Sequence, residues 1–174
     1  MRVYRVIEDV WFYLEDGRKI NEYQDYMNGI ISVPKTSFND GINTHNYEKG
    51  VSYLHFFHFY EGALEYVSGI DSMGCDDKCY IVSYDISDDI LDKYRGLGIY
   101  PESIHPAVPL LEYAIPVDKL DNHFITGEIR KYNLRDEYSL EYKNYLLGDY
   151  QKVIDELDDE NKRFIKTYIE SQKR

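Results

Sequence analysis

The chain has 174 residues, of which 43% are hydrophobic, and it carries a formal net charge of −12. This length is enough for one domain with a buried core, and the hydrophobic fraction is that of a globular protein rather than a disordered one. No run of eighteen apolar residues occurs, so we expect no transmembrane helix and no membrane partner. Acidic side chains outnumber basic ones by 32 to 20, which disfavours general binding of duplex nucleic acid.

The first residues lack the long apolar segment and the small-residue cleavage site of a secretory signal peptide. The chain also holds only two cysteines, too few for the disulfide framework of a small secreted domain. We therefore expect a cytoplasmic protein. Its 19 tyrosines agree with an AT-rich codon bias or with a recognition surface, because tyrosine provides contact area at a low entropy cost.

Short strands and helices alternate through most of the chain. β-Branched and aromatic runs bounded by turn residues predict the strands, and apolar residues at helical spacing predict the helices. The expected elements in chain order are a strand over residues 3–7, a helix over 20–27, a loop over 36–50, a strand over 51–57, a helix over 60–67 with Gly69 as its cap, a strand over 80–86, a helix over 89–94, an irregular loop over 96–109, and strands over 110–117 and 124–131.

From Ser139 to its end the chain has a helical pattern. Ser139 and Asp158 are expected to cap helices, and Gly148 is expected to interrupt them. Apolar side chains recur at helical spacing here, so we expect this segment to pack on the preceding domain or on a protein partner. The sequence thus predicts an α+β domain over residues 1–135, with mixed or antiparallel central sheets, and a helical extension over residues 136–174.

Polar residues stand on three otherwise apolar strands. Alternation places Tyr53, His55 and Phe57 on one face of their strand. Glu112 lies opposite a continuous apolar face, and Arg5 is flanked by apolar residues on its own face. Such groups need water, a partner or a ligand, so Arg5, His55 and Glu112 are candidate site residues. A salt bridge, a solvated strand face or a hydrogen-bonded core histidine would explain them without any site.

Two cysteines and two histidines raise the question of a zinc site. Cys75 and Cys79 could combine with His55 and His58 as four ligands. The cysteine spacing is loose, however, and alternation places the two histidines on opposite faces of the strand. We therefore expect no metal site.

The order of the elements resembles that of the ADP-ribosyltransferase superfamily in its broad sense, which includes bacterial toxins and RNA 2′-phosphotransferases. Members carry an Arg or His on the first strand, a polar or aromatic signature on a second strand that runs into a helix, and a Glu on a later strand. The resemblance covers roughly residues 1–131 and rests on VYRVI with Arg5, SYLHFF followed by EGALEYV, YIVSYDI, and LLEYAIPVDKL with Glu112. The chain departs from the arginine-modifying members, since SYLHFF replaces their Ser-Thr-Ser and a clear Glu-x-Glu or Gln-x-Glu is missing.

This resemblance implies a role for each candidate residue. Arg5 would bind the phosphate or ribose of NAD, and His55 would hydrogen-bond the ribose or phosphate. Tyr53 and Phe57 would flank the nicotinamide ring. Glu112 would accept a hydrogen bond from the ribose 2′-hydroxyl and stabilise the positive charge that develops as the nicotinamide bond breaks. We expect the side chains of Arg5, His55 and Glu112 to converge on one cleft.

Two classes of function remain open from the sequence. The first is an NAD-using ADP-ribosyltransferase-like enzyme, of the kind found among toxins and phage-conflict proteins, whose acceptor is a protein, a nucleic acid or a small molecule. The second is a non-catalytic acidic protein that covers a basic partner, as an inhibitor or nucleic-acid mimic does. Loss of NAD hydrolysis on replacement of Glu112 by Gln would separate them.

Overall fold

The computed structural model describes residues 1–32, 42–71, 78–131 and 138–173, without the side chains of residues 69–71. Its strands are β1 (Arg2–Glu8), β2 (Phe12–Tyr13), β3 (Lys19–Ile20), β4 (Ile42–Asn43), β5 (Tyr53–Phe57), β6 (Cys79–Asp85), β7 (Arg95–Ile99), β8 (Leu110–Pro116) and β9 (Ile125–Lys131). Its α-helices are α1 (Glu22–Met27), α2 (Tyr60–Asp71), α3 (Asp88–Lys93), α4 (Leu140–Asn144), α5 (Tyr150–Asp155) and α6 (Asp159–Gln172).

Within the described ranges, seven strands form one sheet in the order β4-β7-β8-β5-β1-β6-β9, and β2 pairs with β3 in a separate hairpin. Each neighbouring pair of strands is antiparallel. The chain is therefore an α+β protein, as predicted. The pairing between β1 and β5, here called the narrow joint, is short. These strands share one Cα pair, Tyr4 with Phe57, whereas β1 pairs with β6 along its whole length.

The two faces of the sheet bury different clusters because side chains alternate along each strand. Val3 and Ile7 of β1 belong to a cluster that includes Tyr26 of α1. Tyr4 and Val6 face the other way and pack against a cluster that includes Leu64 and Val67 of α2. Helix α1 thus covers one face of the sheet and α2 covers the other.

The last three helices share a third apolar cluster with β7 and β8. The buried members of this cluster are Leu97, Ile99, Leu111, Tyr142, Tyr145, Ile154, Ile165 and Ile169. Hydrogen bonds add to this contact, because the carboxyl group of Glu61 in α2 accepts from the backbone N–H of Ser139 at 2.9 Å. The predicted division into two domains, at residue 135, stays a prediction.

The caps predicted in the C-terminal segment are confirmed. The side chain of Ser139 accepts from the backbone N–H of Tyr142, and that of Asp158 accepts from Asn161. Each satisfies a backbone donor that has no partner within its helix. Gly148 has φ 150°, a value that favours glycine, within the segment Tyr145–Asp149 between α4 and α5, so the predicted interruption is also present.

Two glycine signals were misread from the sequence. Helix α2 continues through Gly69 to Asp71, so Gly69 does not end it. The predicted loop over residues 96–109 begins instead with β7, in which Gly96 and Gly98 alternate with buried Leu97 and Ile99. Of the predicted loop over residues 36–50, residues 36–41 lie outside the described ranges, and the next two residues form β4.

Within the described ranges, no helix combines the length and the apolar character that a membrane crossing requires.

Candidate functional site

The centre of the candidate site is Glu112, a buried acid on β8 that is 1% exposed. One carboxyl oxygen, Oε1, lies 2.9 Å from Nε2 of His45, and the other, Oε2, accepts the hydroxyl of Tyr100. A buried acid without such donors would be costly, so both contacts stabilise it. All three residues come from different segments of the chain, and the fold brings them together.

Glycines on the neighbouring strand make room for this cluster. Gly96 pairs with Glu112 across β7 and β8, and Gly98 follows on the same face. A Cβ atom on Gly98 would lie 2.5 Å from the carboxyl carbon of Glu112, and one on Gly96 would lie 2.6 Å from Nδ1 of His45. The alternation of glycine with buried apolar residues in β7 therefore leaves one face open for two polar side chains.

Backbone contacts between Thr44 and β7 hold His45 in place. The backbone N–H of Thr44 donates to the carbonyl of Leu97 at 3.0 Å, and the N–H of Leu97 donates to the Thr44 hydroxyl at 2.9 Å. The chain beyond β4 thus runs along β7. This register directs the His45 ring, whose side chain is 3% exposed, onto Glu112.

A second polar pair, His55 and Tyr47, lies next to the first. The Tyr47 hydroxyl is 2.6 Å from Nε2 of His55, and the rings of His45 and His55 are 5.9 Å apart. Burial lowers the pKa of His55 to about 4, with a further decrease from His45 and Arg5 that Glu112 opposes. His55 is therefore neutral near pH 7, and its Nε2 shares a hydrogen bond with the Tyr47 hydroxyl.

The tyrosines of the site keep their hydroxyl protons. Burial, followed by the proximity of Glu112, raises the pKa of Tyr100 well above its usual value. Burial is also the main cause of the raised pKa of Tyr47, with Glu112 next. Both phenols stay protonated over the physiological range of pH, so Tyr100 donates to Glu112.

The predicted convergence of Arg5, His55 and Glu112 on one cleft is wrong, because His55 and Glu112 share one face of the sheet and Arg5 lies on the other. Phe57 pairs with Glu112 and His55 pairs with Ala114, which places His55 and Glu112 on one face. The pairing of Tyr4 with Phe57 puts Arg5, the next residue, on the opposite face.

Arg5 is instead part of a structural ion pair. Its guanidinium binds both carboxyl oxygens of Glu22 at 3.1–3.2 Å and donates to the backbone carbonyl of His55 at 3.1 Å. The two side chains are 13% and 16% exposed. The contact ties α1 to the narrow joint between β1 and β5, so the structure supplies Arg5 with a protein partner rather than a cleft.

The two aromatic residues predicted to flank a nicotinamide ring lie in the core. Phe57 packs between the rings of Tyr66 and Tyr100, with centroids at 5.3 and 6.0 Å. Tyr53 packs edge-on against Tyr47, and its hydroxyl accepts the backbone N–H of Glu48 at 2.9 Å. Tyr53 and Phe57 are only 4% and 3% exposed, so both rings are buried among their aromatic neighbours.

Sequence reasoning missed His45, Tyr47 and Tyr100, because all three lie in or beside segments interpreted as loops. A signal was present in GLGIY, where glycine alternates with a large apolar residue over four positions. Period-two alternation is typical of a strand, and small residues on one face indicate close approach by another group.

Neither a search for metal-binding groups nor a comparison with known proteins identifies the chemistry of the site. Among the described residues, no group of three or more His, Cys, Asp and Glu side chains could hold a metal ion. Comparison of the chain with protein-family models, curated proteins and solved structures finds no match.

We expect folding stability to fall as the pH is lowered from about 6.5 to about 4. His55 has a folded-state pKa of about 4 against an ordinary value of 6.5, so the unfolded chain binds more protons across this interval. The stabilisation is therefore complete above pH 6.5, and roughly 3 kcal/mol of it is lost by pH 4. Burial also lowers the pKa of His58, which acts in the same direction.

Urea unfolding of wild type and His55→Gln between pH 4 and pH 8 measures this effect. The variant is expected to show a shallower dependence on pH, whereas a Leu147→Ala variant, altered at a side chain that is 85% exposed, should follow the wild-type curve. Parallel curves for wild type and His55→Gln would contradict the assignment of this dependence to His55.

Proposed function

We propose that the chain is an NAD-using enzyme of the ADP-ribosyltransferase-like kind, with Glu112 as its catalytic carboxyl group. The observation that carries the proposal is the burial of Glu112 between His45 and Tyr100, on a face of the sheet where two glycines of β7 make room for the side chains of His45 and Glu112. A buried acid held by a histidine and a tyrosine is a candidate for a functional site, and the glycines of β7 distinguish Glu112 from Glu65, which has the same kinds of partner.

The chemistry assigned to Glu112 is electrostatic. As the bond between nicotinamide and ribose breaks, nicotinamide leaves with the bonding electron pair and positive charge develops on the ribose. A negative charge fixed close to that ribose, away from water, stabilises the transition state more than the ground state. The acceptor then attacks the ribose carbon and loses a proton, which completes the transfer.

The neighbours of Glu112 have supporting roles in this proposal. His45 and Tyr100 position its carboxyl group, and an incoming ribose 2′-hydroxyl would replace one of these two donors. His55, neutral and hydrogen-bonded to Tyr47, offers the second ring nitrogen as a polar contact for ribose. The role that the resemblance gave to Arg5 is not part of the proposal, because Arg5 binds Glu22.

The test is release of labelled nicotinamide from NAD by wild type, Glu112→Gln and Glu65→Gln. Glu65 is a matched control, since it is also fully buried and also bound by one histidine and one tyrosine, His105 and Tyr142. Glu112→Gln is expected to lower the rate at least tenfold while NAD binding is kept, because the amide retains the shape and loses the charge. Glu65→Gln should stay within about threefold of wild type.

Transfer of label from NAD into a cell lysate would then identify the acceptor class. Absence of NAD binding and hydrolysis in the wild type, or equal rates in wild type and Glu112→Gln, would contradict the enzyme. Those results would favour the non-catalytic acidic interaction protein, whose net charge of −12 suits a basic partner.

A further inference from the structure

A short segment of chain between β4 and β5 covers Glu112. Because Glu112 is only 1% exposed, a molecule of the size of NAD can reach it only if a covering element moves aside. His45 lies on one of its carboxyl oxygens, and the His45 side chain is itself 3% exposed. Residues 46 and 48–50 are exposed on the outer side of the same segment. Residues 44–50, here called the strap, therefore form a single layer of chain between Glu112 and solvent on this side.

The N-terminal end of the strap is attached at the edge of the sheet. Strand β4, which precedes it, has two residues and is the first strand in the order of the seven-stranded sheet. Thr44 adds two hydrogen bonds, one from its backbone N–H to the carbonyl of Leu97 and one from the N–H of Leu97 to its hydroxyl. A short edge strand of this kind separates from its neighbour at a lower free energy than a central strand does.

Beyond Thr44 the strap is held through side chains. Each hydrogen bond between residues 45–50 and the strands of the sheet that the structure describes involves a side chain. The pairs are Nε2 of His45 with Glu112 at 2.9 Å, the Tyr47 hydroxyl with His55 at 2.6 Å, and the backbone N–H of Glu48 with the Tyr53 hydroxyl at 2.9 Å. Water can replace such bonds when the strap lifts, so lifting leaves the strand pairing of β5, β7 and β8 intact.

The second donor to Glu112 is fixed in the core. The ring of Tyr100 packs against those of Phe57 and Tyr66, with centroids at 6.0 and 5.3 Å. Phe57 belongs to β5 and Tyr66 to α2, so withdrawal of Tyr100 would disturb the contact between the sheet and this helix. Withdrawal of His45 disturbs only the strap. Of the two donors, His45 is therefore the one that can leave Glu112 while the core stays packed.

We infer that the strap is a gate, which opens locally while the sheet stays folded and exposes Glu112 as His45 leaves it. The identity of the entering ligand rests on the proposed function. NAD would bind only to the open state, and its ribose 2′-hydroxyl would take the place of His45 on Oε1 of Glu112. The fraction of molecules with an open strap then limits the apparent affinity for NAD.

Carboxyl labelling measures the opening without NAD. The full-length chain is treated with a water-soluble carbodiimide and an amine, and mass spectrometry follows the labelling rates of Glu112 and Glu65. Glu65 is the internal control, since it is also fully buried and is also bound by one histidine and one tyrosine, neither of which belongs to the strap. A loss of overall stability would raise both rates, whereas local opening of the strap raises that of Glu112 alone.

Thr44→Val is the variant that should favour the open strap. Valine has a similar shape but lacks the hydroxyl, so the buried N–H of Leu97 has no acceptor there while the strap is closed and can bind water when it is open. Labelling of Glu112 is expected to rise at least threefold, and that of Glu65 should not change. Thr167→Val makes the same chemical change at an exposed position of α6 and should alter neither rate.

Two outcomes would overturn the inference. Equal increases at Glu112 and Glu65 in Thr44→Val would show that Glu112 becomes exposed only when the whole chain unfolds. An unchanged rate at Glu112 would show that the contact between Thr44 and Leu97 does not control its exposure.

Turnover of NAD separates the gate from the proposed enzyme. If NAD enters through the open strap, Thr44→Val should raise kcat/KM for NAD hydrolysis by the same factor as the labelling rate of Glu112. Faster labelling with an unchanged kcat/KM would overturn the gate and leave the enzyme in place. Faster labelling without any NAD hydrolysis in the wild type would contradict the enzyme and support local opening of the strap.

Discussion

Replacing Ile154 with alanine is expected to lower the free energy of unfolding by about 2–5 kcal/mol, the usual cost of removing a large aliphatic side chain from a packed core. Ile154 of α5 is 0% exposed and belongs to the cluster that α4–α6 share with Leu97 and Leu111 of the sheet. The change deletes three carbons at the centre of that contact. If the helical extension were only loosely attached, the cluster would contribute little to global stability.

Denaturant unfolding of full-length wild type, Ile154→Ala and Leu147→Ala measures this effect. Leu147 is the control because it lies between the same helices, yet its side chain is 85% exposed. Its replacement should change the free energy of unfolding by less than about 0.5 kcal/mol. A cost below about 1 kcal/mol for Ile154→Ala would show that the C-terminal helices do not form part of the cooperative core.

Gly98→Ala is expected to cost about 1–3 kcal/mol, although it adds a single methyl group. The new Cβ would lie 2.5 Å from the carboxyl group of Glu112, which must then move. Movement is costly here because His45 and Tyr100 hold both carboxyl oxygens. The substitution is therefore expected to displace the Glu112 carboxyl group and to lower the free energy of unfolding.

Gly62→Ala provides the matched control in the helix α2. Its Cβ would meet Phe57 at 3.6 Å, an ordinary contact, and alanine favours helix over glycine by up to about 1 kcal/mol. A double-mutant cycle then isolates the contact: Gly98→Ala should cost much less in a Glu112→Ala background than in the wild type. Equal costs in the two backgrounds would contradict the assigned clash between Gly98 and Glu112.

The candidate site was predicted in part from local sequence. Glu112 and His55 were identifiable because each is polar on an apolar strand, and strand alternation placed each on a definite face. Arg5 showed the same local signal and has a different role. Its ion pair with Glu22 depends on where α1 lies over the sheet, which no pattern within VYRVI encodes.

His45 and Tyr100 illustrate the opposite failure. Neither stands on a strand predicted from the sequence, and β7 was missed because two of its five residues are glycine. Glycine is unfavourable in a strand on its own, so local propensity indicated a loop. The strand forms because Leu97 and Ile99 are buried on one face while Gly96 and Gly98 admit His45 and Glu112 on the other.

The sequence by itself determined the α+β composition, the strands with strong β-branched runs, the helical C-terminal segment and its caps at Ser139 and Asp158. These features depend on periodicity and on hydrogen bonds between residues three or four positions apart, so a short stretch of sequence is enough to predict them. Tertiary structure alone decided the strand order, the partner of Arg5 and the grouping of His45, Tyr100 and Glu112. Those contacts join residues 12 to 67 positions apart, and their free energy comes from burial and pairing across strands and helices that meet only in the folded chain.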